Sequence, residues 1–313
     1  MVEMESIRIR YADLYEAHAR LWHPRETRGA VLYLHGIQSH GLWFETSAQR
    51  LAEAGYAVLL PDRRGSGRNE IERGHTPSAW RLLRDAAEGM DELHIRTRLS
   101  RFHVVGVSWG GKLALALYRY LPARVTSLAL IAPGLFPKVD IPLAQKIRVG
   151  WSAITNRHAA FDIPLNDPEM FTANPARQAF IRNDPLALRT VTAAFLLASR
   201  KLDRYARQGQ QPTAGGREGS PKEDTETLKR PDADSLKAGS HAEGVTCGGC
   251  PLRVFLGGQD RIIRNARTKE FVRELHWPQR EIIEYPEAHH TLEFEVRPDQ
   301  FFDDLVNFIR EAE

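Results

Sequence analysis

Five short, almost unbroken apolar runs recur along this chain, at residues 30–35, 56–60, 102–107, 125–132 and 252–256, with a sixth, more mixed run at 281–285. A strand that alternates polar and apolar residues buries one face. One that is apolar throughout must be covered on both, as in a parallel sheet between two layers of helices. The segments between the runs fit that demand. Residues 44–54 are amphipathic and stop at Gly55, Ser78 is placed to cap a helix running to about residue 99, and residues 109–121 end at Pro122. Further helical stretches cover 265–276 and 300–310, and patchy alternation over residues 6–23 predicts two antiparallel strands ahead of the first run. The chain therefore reads as α/β, with a mostly parallel central sheet and helices on both faces.

Two stretches interrupt the rhythm. Between residues 135 and 206 the strands vanish and helical spacing takes over, most clearly at Leu188, Val191, Phe195, Leu196 and Leu202. Residues 207–249 are dominated by Gly, Ser, Pro, Lys, Glu, Asp and Thr, and bring too little apolar surface to offset the entropy of ordering them. The expected organisation is a core in two parts, 1–134 and 250–313, with a helical lid or cap at 135–206 and a disordered linker at 207–249. The only cysteines, Cys247 and Cys250, close this linker. With His241 as the one further ligand candidate nearby, they fall short of a zinc site and read as two thiols in a loop.

A net charge of +3, from 43 basic and 40 acidic residues, leaves no electrostatic footprint for nucleic acid. The N-terminus lacks an apolar stretch of signal-peptide length, and no segment approaches the roughly 18 apolar residues of a membrane helix. A cytoplasmic protein is expected, with at most transient lipid contact; its oligomeric state is not legible.

The chemistry-bearing motif is G-V-S-W-G at residues 106–110. G-x-S-x-G is common by chance, but here it joins a buried strand to a helix, the sharp turn that exposes a serine nucleophile. Gly106 and Gly110 suit so tight a turn. A serine hydroxyl needs a base to take its proton and a carboxylate to orient that base, each expected at the end of a later strand in the order Ser, Asp, His. Asp260 follows the run at 252–256, and the pair His289 and His290 follows the run at 281–285. An oxyanion hole needs two backbone N–H groups. Trp109, after the serine, offers one, and Ile37, in the loop opened by His35 and Gly36, is best placed to offer the other.

Together, residues 35–40 (H-G-I-Q-S-H), 62–67 (D-R-R-G-S-G), 106–110, 257–260 (G-G-Q-D) and the His290 loop resemble the monoacylglycerol lipase and serine aminopeptidase branch of the α/β-hydrolases, which includes lysophospholipase-like proteins. The resemblance covers most of the chain outside the linker. It implies the α/β-hydrolase fold, and hydrolysis of a small-molecule ester through an acyl-enzyme formed on Ser108, with Asp260 as acid and His290 as base. It implies neither cofactor nor metal. Monoacylglycerol, a lysophospholipid or a small ester would be the substrate, beneath a helical lid in which Phe171, Phe180 and Phe195 line an apolar channel. Aligned with the family's pattern, residues 285–290 put the base at His290 and leave His289 at a variable position. The chain departs from the pattern at Glu287, where glycine is usual, and in the length of its linker. Serine at 108 argues against the dehalogenases and epoxide hydrolases of the same fold, which use aspartate. Two alternatives stay open: an aminopeptidase, holding a free amine with Asp162, Asp167, Glu169 or Asp184, and a non-catalytic ligand receptor.

Overall fold

The computed structural model describes residues 2–208 and 249–313. The linker expectation therefore falls almost entirely outside the described residues, as do Cys247 and His241. Cys250 is buried, and burial pushes its thiol up to about 12.

An eight-stranded sheet runs in the order β1-β2-β4-β3-β5-β6-β9-β10. The hairpin of β1 (Met4–Arg10) and β2 (Glu16–Trp22) is antiparallel, and β2 joins β4 (Tyr56–Pro61) antiparallel. From β4 onward every pair is parallel, through β3 (Gly29–Leu34), β5 (Phe102–Val107), β6 (Val125–Ile131), β9 (Leu252–Gly257) and β10 (Arg280–Tyr285). Every residue of β4 and β5 is buried, as unbroken apolar strands require.

The chain leaves β3 toward β4 through α1 (Glu45–Glu53) and returns past β3 to β5 through α2 (Ala79–Thr97). Right-handed crossovers running in opposite directions put these helices on opposite faces. α8 (Asp299–Glu311) packs with α1, and α3 (Trp109–Tyr120) with α2, while α7 (Asn265–Glu274) links β9 to β10. The sheet order therefore reverses beside β3. A crevice opens at such a switch point, beyond the carboxyl ends of the strands, and the loops after β3 and β5 are the ones that reach it.

Between β6 and β9 lie α4 (Leu143–Thr155), α5 (Pro175–Asn183) and α6 (Ala193–Arg207). The expected absence of strands there does not hold. β7 (Ala160–Asp162) and β8 (Thr190–Thr192) form a separate antiparallel pair, each too short to show an alternating pattern. α6 runs to Arg207, into the first residue read as linker.

Candidate active site

Ser108 sits at the turn from β5 into α3 with φ 54° and ψ −119°, a strained conformation for a residue bearing a Cβ. Its backbone is held on several sides: its N–H donates to Ile131 O (2.8 Å), and its carbonyl accepts from Gly111 N (2.9 Å) and Gly134 N (2.7 Å). The turn closes only because position 110 lacks a Cβ, which would collide with the carbonyls of Leu34 and His35. The strand-end loop after β3 is thereby pressed against the serine.

His290 Nε2 lies 2.8 Å from Ser108 Oγ, and His290 Nδ1 lies 2.7 Å from Asp260 Oδ2. Asp260 and His290 are both buried. The tautomer that fits donates Nδ1–H to Asp260 and accepts from the serine hydroxyl at Nε2. Asp260 Oδ1 accepts from the N–H groups of Ile262 (2.7 Å) and Ile263 (3.0 Å). Burial alone would raise this carboxyl; the facing imidazole and the two N–H donors outweigh it and hold it below the ordinary carboxylate range. His289 is turned away, its N–H (2.8 Å) and Nδ1 (3.2 Å) both meeting Glu295 Oε1. The base loop is fastened to the rest by Thr291 N–H donating to Phe171 O (2.8 Å) and by Glu293, which accepts from Ser47 N (3.1 Å) and Ser47 Oγ.

Ile37 and Trp109 both border the cavity that Ser108 opens into. Trp109 is the first residue of α3, so its N–H has no partner within the helix. His35 does not reach the cavity. Its Nδ1 bonds Gly36 O (2.8 Å) and its Nε2 accepts from Arg63 N (2.8 Å), and burial, helped by the Arg63 charge, lowers it to about 3, so it stays neutral. Sequence reasoning takes residues 62–67 only as a family mark and misses Arg63. This buried guanidinium donates to Gly36 O (2.8 Å) and Ile37 O (3.0 Å) and stacks over the rings of Trp109 (4.7 Å) and Phe195 (5.1 Å). It thus ties together both residues expected to offer oxyanion donors.

The cavity, of about 510 Å³, is walled mainly by aliphatic residues, among them Val139, Ile141, Val149, Leu165, Leu196 and Ile263. The three phenylalanines expected to line it are elsewhere. Phe171 packs edge-on against His290 and Trp43, Phe180 against Trp43 and Phe294, and Phe195 stacks on Trp109. Large planar rings fill the seam between the 135–207 segment and the core, leaving smaller aliphatic residues at the cavity wall. None of Asp162, Asp167, Glu169 and Asp184 lines the cavity either. Asp184 accepts from His40 Nε2 (2.9 Å) and Trp43 Nε1 (2.7 Å), and Asp167 caps the turn Pro168–Met170. Among the described residues, Glu72, His75 and His158 form the one group whose donor atoms could share a metal ion. Their two imidazoles stack 4.2 Å apart and 11° from parallel. No single ion lies in both ring planes, so this arrangement holds a metal only if a ring turns.

A mostly parallel sheet with a strained serine at the β5–α3 turn, backed by a histidine and an aspartate from later strand ends, is the architecture of an α/β-hydrolase. Residues 25–212 match the serine aminopeptidase family, S33, and the chain belongs to that family. The proline iminopeptidase of Lactobacillus delbrueckii subsp. lactis is 30% identical over 124 residues, covering 37% of this chain and 40% of that protein. The chain thus spans about two fifths of the curated relatives it first matches. Among solved structures, the monoacylglycerol lipase of Paleococcus ferrophilus superposes with a TM-score of 0.76 at 17% identity, covering 95% of this chain and all (100%) of that one. A soluble variant of the monoglyceride lipase of Saccharomyces cerevisiae follows at 0.75 and 16%, covering 100% and 95%. Among the described residues no helix is long and apolar enough to cross a membrane.

Proposed function

We propose that this protein hydrolyses carboxylic esters through an acyl-enzyme formed on Ser108. The observation that carries the reading is the unbroken relay from Ser108 Oγ to His290 Nε2 (2.8 Å) and from His290 Nδ1 to Asp260 (2.7 Å). His290 takes the serine proton as Oγ attacks the ester carbonyl, and Asp260 stabilises the imidazolium that results. The N–H groups of Ile37 and Trp109 receive the negative charge that develops on the carbonyl oxygen. His290 then returns its proton to the departing alcohol, and a water activated by the same base releases the acid.

The segment 135–206 acts as a lid in this reading, since Val139, Ile141 and Val149 roof the cavity beside Ser108. Aliphatic walls and a volume of about 510 Å³ favour a small ester or one carrying a single chain, such as a monoacylglycerol or lysophospholipid. Both monoglyceride lipases reported above share the fold. An aminopeptidase would need a free carboxylate for the substrate amine. The two aspartates that border the cavity, Asp140 and Asp203, are already paired with Lys146 and with Lys112 and Arg207.

A fluorophosphonate probe tests the reading. Wild-type protein should be labelled at one serine and should turn over p-nitrophenyl esters, and Ser108→Ala should lose labelling and nearly all turnover while keeping its melting temperature. A Ser108→Ala protein with wild-type turnover ends the proposal, and a wild-type protein that neither labels nor hydrolyses favours the receptor alternative.

A further inference from the structure

The cavity beside Ser108 is lopsided. Beside its aliphatic residues, α3 and α6 present Lys112, Ser199, Arg200 and Asp203 to it, and the charges of Asp140 and Lys146, which also line it, are paired with each other. On α6 these residues follow helical spacing at i, i+1 and i+4, and Lys112 is one turn along α3 from the serine. A lysine here is costly. It is only 9% exposed, and it occupies the first turn of a helix, where the macrodipole already favours negative charge. Burial lowers its ammonium below the ordinary lysine range, against the pull of Asp203.

The partner it is given is incomplete. Lys112 Nζ lies 3.5 Å from Asp203 Oδ1, beyond good hydrogen-bond length, while the other oxygen of Asp203 is taken by Arg207. One carboxylate thus serves two cations, and Arg200 adds a third positive charge at the same wall. Ser199 Oγ accepts from Trp109 Nε1 (2.8 Å), which leaves its own O–H free to donate. The wall presents ammonium, guanidinium and hydroxyl donors and an excess of positive charge.

We propose that this wall is an anion subsite, and that the preferred substrate is an ester carrying a carboxylate or phosphate at its non-reacting end, held by Lys112 and Arg200 while Ser108 attacks the ester carbonyl. The inference rests on the hydrolase reading and narrows its substrate class. Placing one negative charge against an incompletely paired buried cation recovers part of the cost of burying it, whereas a neutral chain of the same length leaves that cost in place. The aliphatic walls then hold the methylenes between the two ends.

Two pairs of substrates test it, one for each source of the charge. On the acyl side, mono-p-nitrophenyl adipate is compared with p-nitrophenyl hexanoate. On the alcohol side, decanoyl glycerol phosphate is compared with monodecanoylglycerol. At least one anionic member should exceed its neutral partner in kcat/KM. That preference should fall by about tenfold to a hundredfold in Lys112→Met and by less in Arg200→Gln, on the scale of hydrogen bonds to charged groups. Arg200→Gln alters an exposed side chain, so it remains a test even if Lys112→Met folds poorly. Neutral substrates preferred in both pairs, or a preference untouched by either substitution, would overturn the subsite. The hydrolase reading is checked separately by fluorophosphonate labelling of the wild-type protein against Ser108→Ala: labelled wild-type protein with no anion preference sinks the subsite alone, and unlabelled wild-type protein sinks the hydrolase reading.

Discussion

Two helices that border the same cavity are used in opposite ways. α3, with 12 residues, buries ten of them, and α4, with 13, buries none. α3 leaves the strained serine and is gripped by the sheet, by α2 and by α6. On α4, Leu143, Ile147, Trp151 and Ile154 stand 66–83% exposed. Ser108 and the helix that follows it are thus fixed by packing that cannot shift without loss of core, while α4, which also lines the cavity, packs on α6 without burying a residue. In the proposed reading the lid is therefore the part that can move at lower cost. The two helices that line one cavity are thus held by very different amounts of core.

The largest effect that sharpens this contrast lies within the rigid half. His289 and His290 are neighbours, yet only His290 faces Ser108 and Asp260, and His289 is engaged by Glu295. With one activated ester as substrate, His290→Ala should lower kcat about 10³-fold or more and His289→Ala no more than about tenfold. A reversed order would assign the base to His289 and would break the claim that this loop is held in one register.

Much of the rigid half was legible because parallel strands buried on both faces announce themselves as apolar runs, and because Ser108, Asp260 and His290 each follow one. The choice between the two histidines came from the resemblance alone, since adjacent residues in a loop share every local signal. Illegible were features made by packing between distant segments. Lys112 looks like any lysine in a helix until Asp203, far along the chain, is brought to it. Arg63 is one of two adjacent arginines, and only the fold decides which of them meets the carbonyls of Gly36 and Ile37. Phe171, Phe180 and Phe195 carried the right hydrophobicity for a channel, but hydrophobicity does not say whether a ring faces a cavity or a seam. β7 and β8, at three residues each, offered no period to read.

A smaller effect exposes a cost inside the rigid half. Glu293 fastens the base loop to the start of α1, and burial, only partly offset by the donors of Ser47 and Thr46, raises its carboxyl to about 7. In the unfolded chain the group titrates near the ordinary glutamate value of about 4.3. The folded state therefore binds the proton more tightly, so this site's contribution to stability is most favourable below about pH 4.3 and declines as pH rises to 7, after which the penalty is constant. Glu293→Gln removes the charge and keeps an acceptor for Ser47 N–H. Its melting temperature relative to wild type should rise between pH 5 and pH 8, by roughly 2–6 °C. Parallel curves for the two proteins would mean that the carboxylate is fully compensated where it sits.

The smallest effect belongs to α4. Its outward residues recur at i, i+4, i+8 and i+11, one apolar stripe along a helix whose other side carries Lys146 and Val149 toward the cavity. Because the stripe meets no core, replacing Ile147 and Ile154 by serine removes apolar surface that folding never took from water. Thermal stability should change by no more than about 0.5 kcal/mol per substitution, the scale of ordinary surface changes. A leucine buried in α3, such as Leu117, would cost about 2–5 kcal/mol if cut back to alanine. Differential scanning calorimetry of the two α4 variants checks this directly. A loss approaching that of a core leucine would show that the stripe is covered in solution and that α4 is as firmly held as α3, and the division between a fixed reaction centre and a loosely attached roof would fail.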